Sequence, residues 1–196
     1  MALDLETINN TFFKGYAKWK PRGLLGDGVK GYNTPFEEWP EEVKQYYRYD
    51  PEAAEKLLDE AGYPRSADGT RFKTVLNHFH RFDLGYSELA ATYWADIGVD
   101  VEIVEMDGTA LGALKRGGTF EGMITSILAV DWSPPNAIQQ SHSTAPGNSI
   151  GGLMDPVYDA MVEAAASAAT LEEQQRLVGE ADMYVIERHW YIWGPM

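Results

Sequence analysis

Met123 to Pro135 reads MITSILAVDWSPP, an apolar run that stops at Asp131 with Trp132 directly after it. A carboxylate at a strand end, partly withdrawn from water, is suited to accept from a charged donor. Such a charge-assisted hydrogen bond is worth about 1.5–3 kcal/mol. The neighbouring indole offers a flat apolar face for a ligand side chain or a sugar ring. An aspartate after a strand also caps turns, so the residues alone leave both roles open. Downstream, QQSHSTAPGNS adds His142 and Asn148, which extend the candidate ligand-binding set to Asp131, Trp132, His142 and Asn148. Ser141 beside His142, with Asp131 upstream, also supplies the residue types of a small serine hydrolase. No glycine-flanked nucleophile turn surrounds Ser141, and such a triad is defined by geometry; no catalytic residue is assigned. His78 and His80 stand two apart, on one face of a strand, and only Asp83 is near as a third donor. No metal site and no cofactor is assigned.

These residues need a scaffold, and the composition allows one. The chain has 196 residues, 44% of them hydrophobic, which suffices for one large domain or two small ones. Its net charge of −14 and scattered cations argue against a nucleic-acid partner. The absence of cysteine removes disulfides, thiol catalysis and cysteine zinc sites. The first residues, MALDLETINN, show neither a basic nor an apolar leader segment.

Caps and periodicity place the elements. Asp4 caps a helix over residues 4–14. Residues 15–49 carry five glycines, three prolines and eight aromatics, which reads as a long ordered wrap, since a disordered linker is poor in aromatics. Asp50-Pro51 is an N-cap with proline in the first helical position, and Gly62 closes that helix. A strand follows over 71–79, a helix over 84–97 closed by Gly98, and an alternating strand over 99–106. A short helix from Thr109 to Arg116 precedes a strand over 119–128. Strand–helix alternation of this kind predicts an α/β sheet with crossovers. Pro134 and Pro135 predict the end of ladder pairing and a loop over 132–152. Asp155-Pro156 opens another helix, and Thr170 with Glu173 forms a capping box for the next, running to about Arg188. HWYIWGPM at the end reads as a strand or extended tail.

The order of these signatures resembles the peptide/nickel-type solute-binding proteins of bacterial ABC importers. The segment Tyr49 to Pro64, YDPEAAEKLLDEAGYP, carries the most specific likeness. Ala2-Leu3-Asp4 with Ile8 and Gly15, Trp94 to Val99, and Asp155-Pro156 with Asp159 and Arg176 carry the rest. The resemblance implies one lobe, the second, of a two-lobed periplasmic-binding-protein-like fold: α/β, a mixed sheet flanked by helices. Residues 1–49 would be the helix plus wrap and 50–196 the α/β body. It implies an excised lobe or a truncated product of a periplasmic or extracellular protein, membrane-associated in its parent. The parent would bind a peptide or similar small solute, not catalyse, and pass it to an ABC permease. The first lobe would be missing, and the exposed lobe face could pair two copies. Asp131 falls where such proteins hold a ligand ammonium. Leu128 and Pro134 depart from that motif, and a carbohydrate-binding parent stays as the alternative.

Overall fold

The computed structural model describes residues 1–26, 29–117, 120–125, 133–141 and 155–194. Helix α1 spans Leu5–Thr11, and the Asp4 carboxylate accepts from the Thr7 amide at 2.9 Å. The segment that follows is the expected wrap. Its described residues form two 3₁₀ turns, Phe36–Glu38 and Gln45–Tyr47, and a single-turn helix α2, Glu41–Lys44. Its aromatics hold it down. Trp39 is buried with Val43 against Ile186, and Trp19 packs on the cluster of Leu5, Ile8 and Ala90. Both tryptophans therefore serve the core.

The α/β unit begins at α3, Pro51–Glu60, where Asp50 accepts from the Ala53 amide at 2.9 Å. Gly62 follows the helix at φ +89°, the left-handed conformation that a glycine adopts without steric cost. Strand β1 is Phe72–Phe79, α4 is Leu84–Asp96, β2 is Val99–Met106, α5 is Gly108–Gly117 and β3 is Met123–Ile124. The strands pair in the order β2-β1-β3, all parallel. An antiparallel member, which a mixed sheet requires, is not among the described residues. Alternation along β1 fixes which helix covers which face. His78 points to one face and bonds Ser87 of α4. Phe79 points to the other and meets Gly108 at the start of α5. Helices α4 and α5 thus lie on opposite sides of the sheet, as right-handed crossovers running in opposite directions require.

Two expectations change at the next elements. Residues Pro134–Ser141 form a helix, α6, where the prolines predict a loop. Pro134 and Pro135 occupy its first two positions. Helical amides there have no intrahelical partner in any case, so a missing N–H costs nothing. Of the strand expected over 119–128, the described part is Met123–Ile124, with Thr125 continuing the pairing: its amide donates to the Asn77 carbonyl at 3.0 Å.

Helices α7, Pro156–Ala166, and α8, Leu171–Glu187, complete the body. Asp155 caps α7 through the Val157 and Tyr158 amides, and its second oxygen accepts from the Tyr184 hydroxyl at 3.0 Å, tying α7 to α8. Thr170 caps α8 at the Glu173 amide, while the Glu173 carboxylate reaches back to the amide of Ala169. The main core gathers Ile138, Tyr158, Val162, Ala165, Val178, Ala181 and Val185, with Leu24 and Leu25 of the wrap. The end of the chain, Trp190 to Trp193, forms no strand; it lays its aromatic rings on this core. Among the described residues no helix is long and apolar enough to cross a membrane.

Candidate functional site

Strand order locates the site. From β1 the chain crosses to β2 on one side, then returns past β1 to β3 on the other. In open parallel sheets a ligand crevice forms outside the carboxyl ends of the strands where the order reverses, because the loops there diverge. At this edge stand His80, Arg81, Phe82 and Asp83 after β1, Asp107 after β2 and Thr125 after β3.

The polar groups of the edge are fixed in different ways. The His80 amide donates to the Met106 carbonyl at 3.1 Å, and Nδ1 lies 3.0 Å from the same oxygen. Nδ1–H is therefore the donor, and Nε2 is the nitrogen left for solvent. Thr125 Oγ1 accepts from the Phe79 amide at 2.7 Å, so it belongs to the strand ends rather than to an open site. Asp107 caps α5 through the Thr109 and Ala110 amides, at 2.7 and 2.9 Å. Those amides, Ala110 first and Thr109 second, hold its carboxyl below the ordinary carboxylate range, and the nearby His80 adds to the effect.

Helix α4 is different. No side chain caps its first turn, although Asp83 stands at the N-cap position. Its free amides and dipole favour an anion there. Arg81, two residues earlier, is exposed and makes no ion pair or hydrogen bond among the described residues. In a chain of net charge −14, an arginine with no carboxylate partner among the described residues is free to meet an anion. Sequence reading passes over Arg81 because one arginine in HFHRFDLG has no periodic signature. The available signal was its position immediately after a strand.

The other expected site residues divide. Asp131, Trp132, His142 and Asn148 lie outside the described residues. Their flanks do not: the chain leaves β3 at Thr125, on the carboxyl edge, and re-enters described structure at Ser133 ahead of α6. His78 and His80 are not a pair. His78 is fully buried on the α4 face, with Nδ1 3.0 Å from the Ser87 hydroxyl, whereas His80 stands beyond the strand end and is exposed. Among the described residues no three His, Cys, Asp or Glu side chains cluster as a metal site would. Tyr86, Tyr93 and Trp94 pack against α1 as core, and burial pushes the Tyr86 phenol up to about 12.

The described residues thus form a parallel α/β unit with helices on both faces and polar groups at its carboxyl edge. The family follows from the sequence match: residues 1–149 match the middle segment of the bacterial extracellular solute-binding proteins, family 5, and the chain belongs to that family. It is 24% identical over 94% of its length to a heme-binding protein of Haemophilus influenzae, covering 32% of that protein. It is 28% identical over 67% of its length to a glutathione-binding protein of Pectobacterium atrosepticum, covering 23% of it. In structure, 95% of the chain superposes on 36% of a dipeptide-binding protein from Pseudoalteromonas sp. SM9913 in complex with Met-Leu, with TM-score 0.74 and 21% identity. The chain thus spans about a third of the length of the relatives it matches across nearly its full extent. Membership in a solute-binding family removes the serine-hydrolase alternative.

Proposed function

We propose that this chain is one lobe of the substrate-binding component of a bacterial ABC importer, and that its parent captures a short peptide or similar zwitterionic solute at the carboxyl edge of the β2-β1-β3 sheet. The observation that carries the reading is Arg81, exposed and unpaired among the described residues, beside the uncapped first turn of α4. Together they favour a ligand carboxylate. Asp131, following β3 in sequence, supplies the complementary acceptor for an ammonium, and Trp132 a surface for an apolar side chain. His142 and Asn148 are proposed as further polar contacts. The glutathione-binding relative and the structural match bound to Met-Leu support a peptide-sized ligand.

A second lobe closing over this edge would bury the other side of the ligand by hinge motion and present the closed form to a membrane permease. Residues 1–49 and 50–196 act together here as that single lobe. Alone, half a cleft binds weakly, and the uncovered face favours pairing of two copies, which sedimentation would detect. The parent works outside the cytoplasm, tethered at the membrane.

A thermal-shift screen of the chain and of a longer protein carrying both lobes tests the proposal, with di- to pentapeptides, oligosaccharides and nickel as ligands. Peptides should stabilise the two-lobed protein, and Asp131→Asn and Arg81→Ala should each abolish the shift. A shift with oligosaccharides alone would assign a carbohydrate-binding parent. Peptide affinity unchanged in both variants would refute the site.

A further inference from the structure

Residues 20–26 and 29–49 cross α8 as a strap, fastened at several points. The Tyr32 hydroxyl donates to Gln174 Oε1 at 3.1 Å, Trp39 and Val43 pack on Ile186, and the Tyr47 hydroxyl donates to the Ile186 carbonyl at 3.0 Å. One fastening is unlike the others. Asp182 of α8, only 1% exposed, accepts from the Leu24 amide at 2.5 Å, and the Leu25 amide also bonds it. The strap backbone lies so close that a Cβ on Gly23 would overlap the carboxylate. The second oxygen, Oδ2, is buried with no hydrogen-bond partner among the described residues.

We propose that Asp182 is a proton-operated latch: protonated, it holds the strap residues Gly23 to Leu25 against α8, and its ionisation releases them.

The latch rests on what surrounds the carboxyl. Burial pushes Asp182 up to about 7, outweighing the Leu24 and Leu25 amides and Arg22, which favour the charged form. The other groups that reach it are few. Helix α7 presents the Tyr158 phenol, which its own burial raises first, with Tyr191 and the Asp182 charge adding to the effect. Helix α6 contains no charged residue, and the tail from Trp190 to Gly194 contributes only the Tyr191 phenol. Among the described residues, an ionised Asp182 therefore has two amides and one guanidinium to offset its desolvation. Opening the strap hydrates the carboxylate, releases its proton to solvent and withdraws Leu24 and Leu25 from the core, where they are 3% and 1% exposed.

The sign follows from linkage. The closed state holds its proton up to about pH 7, whereas the open carboxyl titrates near the ordinary 3.8. Opening becomes easier as pH rises between those values, by about tenfold per pH unit, and levels off above about 7. Acid tightens the strap, and neutral pH loosens it. This inference is independent of the ligand proposed above.

Amide hydrogen exchange at Leu24 and Leu25 tests it in the intact chain from about pH 5 to 8, corrected for the intrinsic rate, with Leu76 of β1 as the internal reference. The opening equilibrium at Leu24 and Leu25 should rise about tenfold per pH unit up to about 7 and then flatten, while Leu76 stays level and Asp182→Asn removes the slope. A flat wild-type profile, a slope retained in Asp182→Asn, or the same slope at Leu76 overturns the latch. Should Asp182→Asn not fold, a carbon-13 titration of the wild-type Asp182 carboxyl decides: a midpoint near the ordinary aspartate value overturns it too.

Discussion

Tyr158→Phe removes one oxygen from the centre of the main core, and its cost can be worked out in advance. Tyr158 is 1% exposed, and its hydroxyl donates to the Ile138 carbonyl at 2.9 Å. Ile138 belongs to the last four residues of α6, whose carbonyls have no intrahelical partner. The phenylalanine keeps the ring contacts with Tyr184 and Trp190, at 6.1 and 5.5 Å, so packing is nearly conserved. What changes is one buried carbonyl that loses its donor, a loss of about 1–3 kcal/mol. Unfolding entropy of about 2.1 cal/mol/K per residue gives about 0.4 kcal/mol/K for a chain of this length, so the melting temperature should fall by about 2–7 °C. Differential scanning calorimetry measures it directly. Hydrogen exchange should also place the loss at the carboxyl end of α6, next to the segment that carries His142 and Asn148. A melting temperature within about 1 °C of wild type would refute the reasoning, because it would mean that the Ile138 carbonyl does not depend on this hydroxyl.

Ile186→Ala, at a fully buried position under Trp39, should cost about 2–5 kcal/mol in urea unfolding and red-shift tryptophan emission. Gly23→Ala should cost about 1–3 kcal/mol, since its Cβ overlaps the Asp182 carboxylate; a neutral result in the same assay would mean the strap backbone shifts freely. Glu55 is held down to about 2 by Arg65 first and Arg71 second. Its folded value lies below the ordinary one, so its contribution is present above about pH 4.5 and is lost as pH falls toward 2. Melting curves between about pH 2 and 5 should therefore fall more steeply for wild type than for Glu55→Gln.

Local chemistry was legible where a signal fits within a few residues. Asp4, Asp50, Asp155 and Thr170 each cap the helix that their spacing predicts. The alternation in VDVEIVEM matches β2 end to end. The same local reading failed at Pro134-Pro135, because proline ends a ladder and begins a helix with equal ease, and nothing in the dipeptide chooses between them. It also failed for the two histidines. Their spacing puts them on one face only if the strand continues, and β1 stops at Phe79.

The candidate site was legible only in outline. Asp131 marks a strand end in the sequence, but the place of β3 beside β1 comes from the order β2-β1-β3, which no short window contains. Arg81 gains meaning from its lack of a partner among the described residues and from the uncapped turn of α4 beside it, both properties of the assembled chain. Asp182 is the extreme case. In GEADMYV it reads as one more solvated acid of an amphipathic helix, yet it is buried against an amide 158 positions away in sequence. Caps, turns and periodicity depend on neighbours a few residues apart, so most of the helices, the strands and the α/β class are written in the order of the residues. Burial of a charge, the face a histidine takes and the reversal of strand order at one edge depend on contacts between distant segments, and they emerge only when the chain has folded.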